Sequence, residues 1–189
     1  MSKQRHRCRN ALVLFSGGLD SLACLHYYRL HGFDTKALYV NHGQCAAARE
    51  QVAASQIAQA LGIELRVITV NGLAVSIGEI VGRNALLLDL GLMAFPWDCG
   101  LVAIGVHSGT SYVDCSTHFL ERMSDVYRLY ADDRIRIDAP FATWKKGDLF
   151  AYSRDANLPI SLTYSCELGT VPACGHCTSC RDIEAIRAC

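Results

Sequence analysis

Residues 15–21 read Phe-Ser-Gly-Gly-Leu-Asp-Ser and directly follow the apolar run Ala11-Leu12-Val13-Leu14. A continuous apolar run of this kind reads as a buried strand, and here it breaks at once into two adjacent glycines. Gly17 and Gly18 let the backbone turn tightly and bring bare N–H groups against an anion. A helix beginning near Leu19 aims the positive end of its dipole at the same point. The segment therefore reads as a phosphate cradle in an α/β fold. It is not the GxxxxGK[ST] loop of the common nucleotide-triphosphate hydrolases. An ordinary strand-to-helix turn is the competing reading.

The rest of the chain alternates in the same way. Extended runs are expected at 11–15, 35–40, 64–70, 101–106 and 134–138. Helices are expected at 19–30, 46–61, 84–95, 117–130, 146–155 and 182–188. This alternation predicts βαβ units in a doubly wound parallel sheet, with one domain over 1–189 and a nucleotide-binding core over 11–160. Ligands of such sheets bind beyond the carboxyl ends of the strands. The loop at 16–18, the segment Asn41-His42-Gly43-Gln44 and the segment 105–115 all fall on that edge.

Composition narrows the class. Of 189 residues, 51% are hydrophobic and 19% charged, which is a globular and not a disordered balance. Lys+Arg and Asp+Glu both number 18, so no broad basic field favours a nucleic-acid partner. The basic cluster Lys3-Gln4-Arg5-His6-Arg7-Cys8-Arg9 reads as a solvated leader. Between it and the strand with its glycine loop there is no separate apolar stretch such as a signal peptide would require. The longest apolar stretch, 85–106, is broken by Asp89, Pro96 and Asp98, which argues against a membrane span. The expectation is a cytoplasmic protein whose ten cysteines bind metal or stay free.

From about residue 160 the chain becomes rich in Cys, Gly, Pro and Ser. It runs Cys166-Glu-Leu-Gly-Thr-Val-Pro-Ala-Cys174-Gly-His-Cys177-Thr-Ser-Cys180. Two overlapping Cys-x-x-Cys steps with a fourth cysteine upstream can wrap four thiolates around one tetrahedral Zn²⁺. Such a closed site is structural, and it would pin a segment over 161–189 across the sheet edge. An iron–sulfur cluster, a redox pair or His176 as a ligand are the alternatives. Cys8, Cys24, Cys45, Cys99 and Cys189 show no ligand spacing and are expected as free thiols or small core residues.

The pairing of SGGLDS with Cys-x7-Cys-x2-Cys-x2-Cys resembles the QueC family of 7-cyano-7-deazaguanine synthases, within the wider ATP pyrophosphatase group. Asn41-His42-Gly43-Gln44 is similar to that family's Asp-Tyr-Gly-Gln, and Gly82-Arg83-Asn84 matches its Gly-Arg-Asn. Gly105 with Tyr112-Val113-Asp114-Cys115 is similar to its Gly…Tyr-Pro-Asp-Cys. Pro140 with Lys146 fits its Pro-Leu…Lys step, and Thr163-Tyr164-Ser165-Cys166 fits its Thr-x-Ser-Cys.

The resemblance implies ATP- and Mg²⁺-dependent adenylation of 7-carboxy-7-deazaguanine, amide formation with ammonia, and a second activation giving the nitrile. It implies ATP contacts from Ser16, Gly17, Gly18, Leu19, Asp20, Ser21 and Val40. Substrate contacts would come from Gly43, Gln44, Arg83, Asn84, Gly105, Tyr112 and Asp114. Asp20, Lys146 and Arg83 would act at the reacting phosphates, and Cys166, Cys174, Cys177 and Cys180 would hold zinc. Asp20 could equally cap its helix; Lys145 stands beside Lys146, and Arg83-Asn84 could merely start a helix. The family often forms homodimers, and 85–95 suits either an interface or burial under the sheet.

Three departures bear on the product. The segment before Gly82-Arg83-Asn84 and the one after Gly105 are shorter than the family's, and Ser116 stands where the family has arginine. A trimmed site could pass the acyl adenylate to an amine on a protein acceptor, as in an antiphage system, giving a conjugate in place of the nitrile. A tRNA-thiolating adenylase using Cys45 and Cys115, and a non-catalytic nucleotide-binding subunit, complete the alternatives.

Overall fold

The alternation is realised as one parallel sheet of five strands in the order β3-β2-β1-β4-β5. The computed structural model describes residues 8–73, 80–110 and 112–187. The strands are β1 (Asn10–Leu14), β2 (Asp34–Asn41), β3 (Leu65–Thr69), β4 (Gly100–Ile104) and β5 (Ile135–Asp138). The helices are α1 (Leu19–Leu30), α2 (Ala47–Leu61), α3 (Arg83–Met93), α4 (Thr117–Ala131), α5 (Lys146–Asp155) and α6 (Thr178–Arg187). The chain winds outward from β1 through β2 to β3, then crosses back to β4 on the other side. β1 and β4 are therefore neighbours at the point where strand order reverses, and the loops leaving them part to open a crevice.

The apolar run at 11–14 takes the central position because both of its faces must be covered. Val13 and Phe15 pack with Leu22 and Leu25 of α1 and Leu149 of α5. Leu12 and Leu14 face the other way, with Leu88 of α3 and Tyr127 of α4. Each such side chain contributes about 1.5–3 kcal/mol when fully buried. α3 covers the sheet with Leu88 and Gly91, while Met93 at its end is exposed, so burial accounts for most of the apolar run at 85–95.

Two expectations are corrected. Cys8 and Cys99 are joined as a disulfide, with Cα atoms 5.9 Å apart, and are not free thiols. They immediately precede the adjacent strands β1 and β4, a juxtaposition that 91 residues of sequence separation hides. The last helix begins at Thr178 and not at 182, so Cys180 lies in its first turn. Cys24 is a buried core thiol, as expected, and Cys45 is exposed. Most of the basic leader, most of the short segment before Gly82, and Cys189 lie outside the described residues.

Candidate active site

A cavity of about 490 Å³ occupies the crevice at the carboxyl ends of β1, β2 and β4. Its floor is the loop between β1 and α1. Gly17 adopts φ +78°, and a Cβ there would lie 2.7 Å from the Ala54 backbone nitrogen, so only glycine lets the loop press against α2. Ser16 Oγ accepts the Gly18 N–H at 3.3 Å and lies 3.2 Å from Ser21 Oγ, which donates to the Gly18 carbonyl at 3.0 Å. These contacts hold both hydroxyls beside the opening of α1. Gly105 closes the other side: a Cβ there would fall 2.6 Å from the Asp20 carbonyl oxygen. β4 and the start of α1 therefore meet backbone to backbone.

Asp20 does not cap α1, whose N-cap Gly18 has no side-chain bond. Its carboxylate instead receives Lys146 Nζ at 2.5 and 2.6 Å, across 126 residues of sequence. Lys145 is exposed and heads α5, its N–H bonded to Asp148 Oδ2 at 2.9 Å. Of the two neighbouring lysines, Lys146 alone lines the cavity. His107 Nε2 lies 3.8 Å from Asp20 Oδ2. Burial lowers the His107 pKa; Asp20 opposes that shift and Lys146 adds to it.

Arg83 enters from the head of α3, its Nε donating to Asn84 Oδ1 at 3.3 Å. Asn84 is buried and spends its amide on the fold: Nδ2 donates to the Asp114 carbonyl at 3.0 Å, and its own N–H donates to Asp114 Oδ2 at 3.1 Å. Asp114 thus supports Asn84 from behind and does not line the cavity. On the β2 side, Gln44 Nε2 donates to Glu50 Oε2 at 2.6 Å and Oε1 accepts the His42 N–H at 2.9 Å. Burial raises the Glu50 pKa, opposed by Gln44, Tyr39 and Arg83.

The structure brings Ser16, Gly18, Leu19, Asp20, Ser21, Val40, Gln44, Arg83, Asn84, Gly105, Tyr112 and Lys146 to this one cavity. Gly17 presses against α2, and neither it nor Gly43 lines the cavity. Cys115 lines the wall, while Cys45 does not, so the cysteine pair of a thiolating site is not assembled there. Burial also raises the Cys115 pKa, which disfavours a thiolate. Residue-by-residue reading missed Glu50, His107, Glu167 and Asp182, all on the cavity wall. His107 stood two residues past Gly105, inside a segment already assigned to the ligand edge; the other three carry no local spacing signal.

The tail closes the cavity. The Tyr164 N–H donates to the Gly17 carbonyl at 3.1 Å, docking the tail on the phosphate loop. Ser165, Glu167 and Thr178 add to the wall, and Glu167 Oε1 accepts both the N–H and the hydroxyl of Ser179, at 3.1 and 2.8 Å. The sulfurs of Cys166, Cys174, Cys177 and Cys180 all lie within 4.8 Å of one another. Ligands about 2.3 Å from a single tetrahedral zinc are about 3.8 Å apart, and the Cys174 and Cys180 sulfurs are 3.8 Å apart. A four-iron cube would spread the thiolates further.

The donor chemistry agrees. Against burial, donors including the Cys174 N–H draw the Cys166 thiol down to about 5, while burial and the neighbouring cysteines push Cys180 up to about 12. A divalent cation resolves that crowding. His176 is exposed, bonded to the Cys174 carbonyl at 2.8 Å, and stands outside the cluster.

Comparison with known proteins fits this arrangement. The profile of the family described as "Queuosine biosynthesis protein QueC" matches residues 10–81 and 79–185. The 7-cyano-7-deazaguanine synthase of Chromohalobacter salexigens is 31% identical over 91% of this chain and 79% of its own length. That of Marinobacter nauticus is 31% identical over 95% and 93%, and 7-cyano-7-deazaguanine synthase 1 of Sulfurisphaera tokodaii is 29% identical over 90% and 88%. Among solved structures, two share the fold at 16% identity. They are a "predicted subunit of tRNA methyltransferase" from Methanocaldococcus jannaschii and an NH3-dependent NAD synthetase from Campylobacter jejuni. Their TM-scores are 0.51 and 0.50, over 77% and 84% of this chain and 74% and 69% of theirs. With its family profile matched along nearly the whole length, its loop at 16–21 and Lys146 gathered at one cavity, and four clustered cysteines in the tail that walls it, this chain is an enzyme of the QueC family.

Proposed function

We propose that the chain uses ATP to adenylate the carboxylate of 7-carboxy-7-deazaguanine and converts the acyl adenylate, with ammonia, to the amide and then the nitrile. The convergence of the loop at 16–21, Lys146 and Arg83 on one cavity carries this reading. A carboxylate is a poor electrophile. Attack of its oxygen on the α-phosphorus forms the acyl–AMP bond and breaks the bond to the β-phosphate, releasing pyrophosphate. Ammonia then displaces AMP, a good leaving group, and loses a proton. A second ATP activates the amide oxygen, and loss of AMP with two protons from nitrogen leaves the nitrile. The names of the relatives support the nitrile as product.

In this reading Ser16, Ser21 and the Gly18 N–H hold the departing pyrophosphate at the head of α1, the place where a helix favours an anion. Lys146 and Arg83 stabilise charge as the phosphates separate. Val40 and the end of β2 receive the adenine, while Gln44, Arg83 and Tyr112 border the acid. Both Asp20 oxygens are engaged by Lys146, and Mg²⁺ would enter on the ATP phosphates. Zn²⁺ on Cys166, Cys174, Cys177 and Cys180 would anchor the wall formed by the tail. Among the described residues no helix is long and apolar enough to cross a membrane.

Mass spectrometry of the product formed from ATP, the acid and ¹⁵N-ammonium tests this. The expected product is the nitrile carrying one ¹⁵N. Acid consumed only when a protein amine is present would replace the nitrile with a conjugate.

A further inference from the structure

Lys146 is bound through both oxygens of Asp20. It can serve a phosphate only by loosening that pair, and Asp20, whose side chain is 26% exposed, would then hold a half-buried charge without its cation. The ring of His107 is the next group at hand, its Nε2 3.8 Å from Asp20 Oδ2. The other ring nitrogen, Nδ1, accepts the Gly109 N–H at 3.0 Å, so the hydrogen of the neutral ring sits on Nε2, toward Asp20.

The ring is fixed from three sides. A Cβ on Gly109 would fall 2.9 Å from His107 Cε1 and Nδ1, so the loop backbone lies flush against the imidazole. Gly105 presses the end of β4 onto the Asp20 backbone, setting the ring's distance from the carboxylate. Ser108 donates its N–H and its hydroxyl to the Trp144 carbonyl at 2.9 and 2.8 Å, two residues before Lys146. The loop that carries His107 is thereby fastened to the segment that launches α5.

We propose that His107 is a positioning residue: it holds the Asp20 carboxylate in place while Lys146 turns from Asp20 to the triphosphate. It acts through Asp20 and does not touch the reacting atoms. Burial, together with Lys146, lowers its pKa against Asp20 and Asp182, which keeps the ring a neutral Nε2–H donor.

The inference rests on the cavity being an adenylation site, and steady-state pyrophosphate release from ATP and 7-carboxy-7-deazaguanine tests it. His107→Ala should lower kcat about tenfold to a hundredfold, the scale of a misplaced active-site group. The KM for the acid should stay within about twofold of wild type. His107→Asn, whose amide can donate to Asp20, should recover most of kcat. Gly109→Ala, which displaces the ring without removing it, should fall between them.

An unchanged kcat in His107→Ala overturns the proposal. So does a loss of equal size in His107→Asn, or a raised KM with kcat intact. Zinc content and Tm report whether each variant folds; if His107→Ala does not, His107→Asn and Gly109→Ala decide. Absence of pyrophosphate release by the wild type would overturn the adenylation reading and this proposal together. An active wild type with an indifferent His107→Ala overturns this proposal alone.

Discussion

The two ends of the chain meet at one cavity, yet they are held by different forces. The loop at 16–21 hangs between a strand buried on both faces and a helix whose Leu22 and Leu25 are fully covered, so packing is its main support. Across 166–180 only Cys166 and Cys177 are buried. That stretch has no apolar core with which to offset the entropy of ordering it. The loop at 16–21 is thus stable by burial, and in the proposed function the knuckle depends on a metal. The catalytic floor belongs to the first regime and a wall of the same cavity to the second.

The largest test of that contrast removes chemistry and leaves both supports standing. Lys146→Ala should reduce pyrophosphate release about 10³-fold while zinc content and Tm stay near wild type. A large fall in Tm would mean that the Asp20–Lys146 pair holds the fold and not the reaction. Next, Cys174→Ser or treatment with a zinc chelator should melt the tail and leave the sheet. Hydrogen exchange would then show new exchange across 164–180 with β1 and β2 still protected. The KM for ATP would rise about tenfold or more as Ser165, Glu167 and Thr178 leave the wall. Global unfolding on zinc loss would show that the two regions are one cooperative unit.

Smaller effects probe the packed side. Gly17→Ala forces a side chain into a positive-φ position and onto α2, and should cost about 1–3 kcal/mol by chemical denaturation, with zinc retained. Asn84→Ala strands the buried Asp114 carbonyl and should cost about 1–2 kcal/mol while sparing the KM for ATP. If instead it raises the KM for the acid with stability unchanged, Asn84 is a ligand group and not a brace.

The features that could be read in the sequence are those whose partners lie close along the chain. SGGLDS after an apolar run dictates strand, turn and helix by itself, and four cysteines within fifteen residues announce a candidate metal site. Glycines at 62 and 82 likewise mark where α2 stops and α3 starts. The pairs that stayed hidden depend on register between distant strands. Cys8 meets Cys99 because β1 and β4 are neighbours, and Asp20 meets Lys146 because α1 and α5 pack side by side. Asp114 illustrates a subtler limit: its motif placed it at the ligand edge, but the fold turned it inward to hold α3. A motif gives the neighbourhood of a residue, and packing decides which way it points.

The central claim is that this cavity adenylates a carboxylate, and acid-dependent pyrophosphate release measures that directly. With ATP and 7-carboxy-7-deazaguanine, pyrophosphate and AMP should appear together, and replacing the acid by 7-deazaguanine, which lacks the carboxyl, should abolish both. ADP and phosphate in place of AMP and pyrophosphate, or equal release without the carboxyl, would contradict the account.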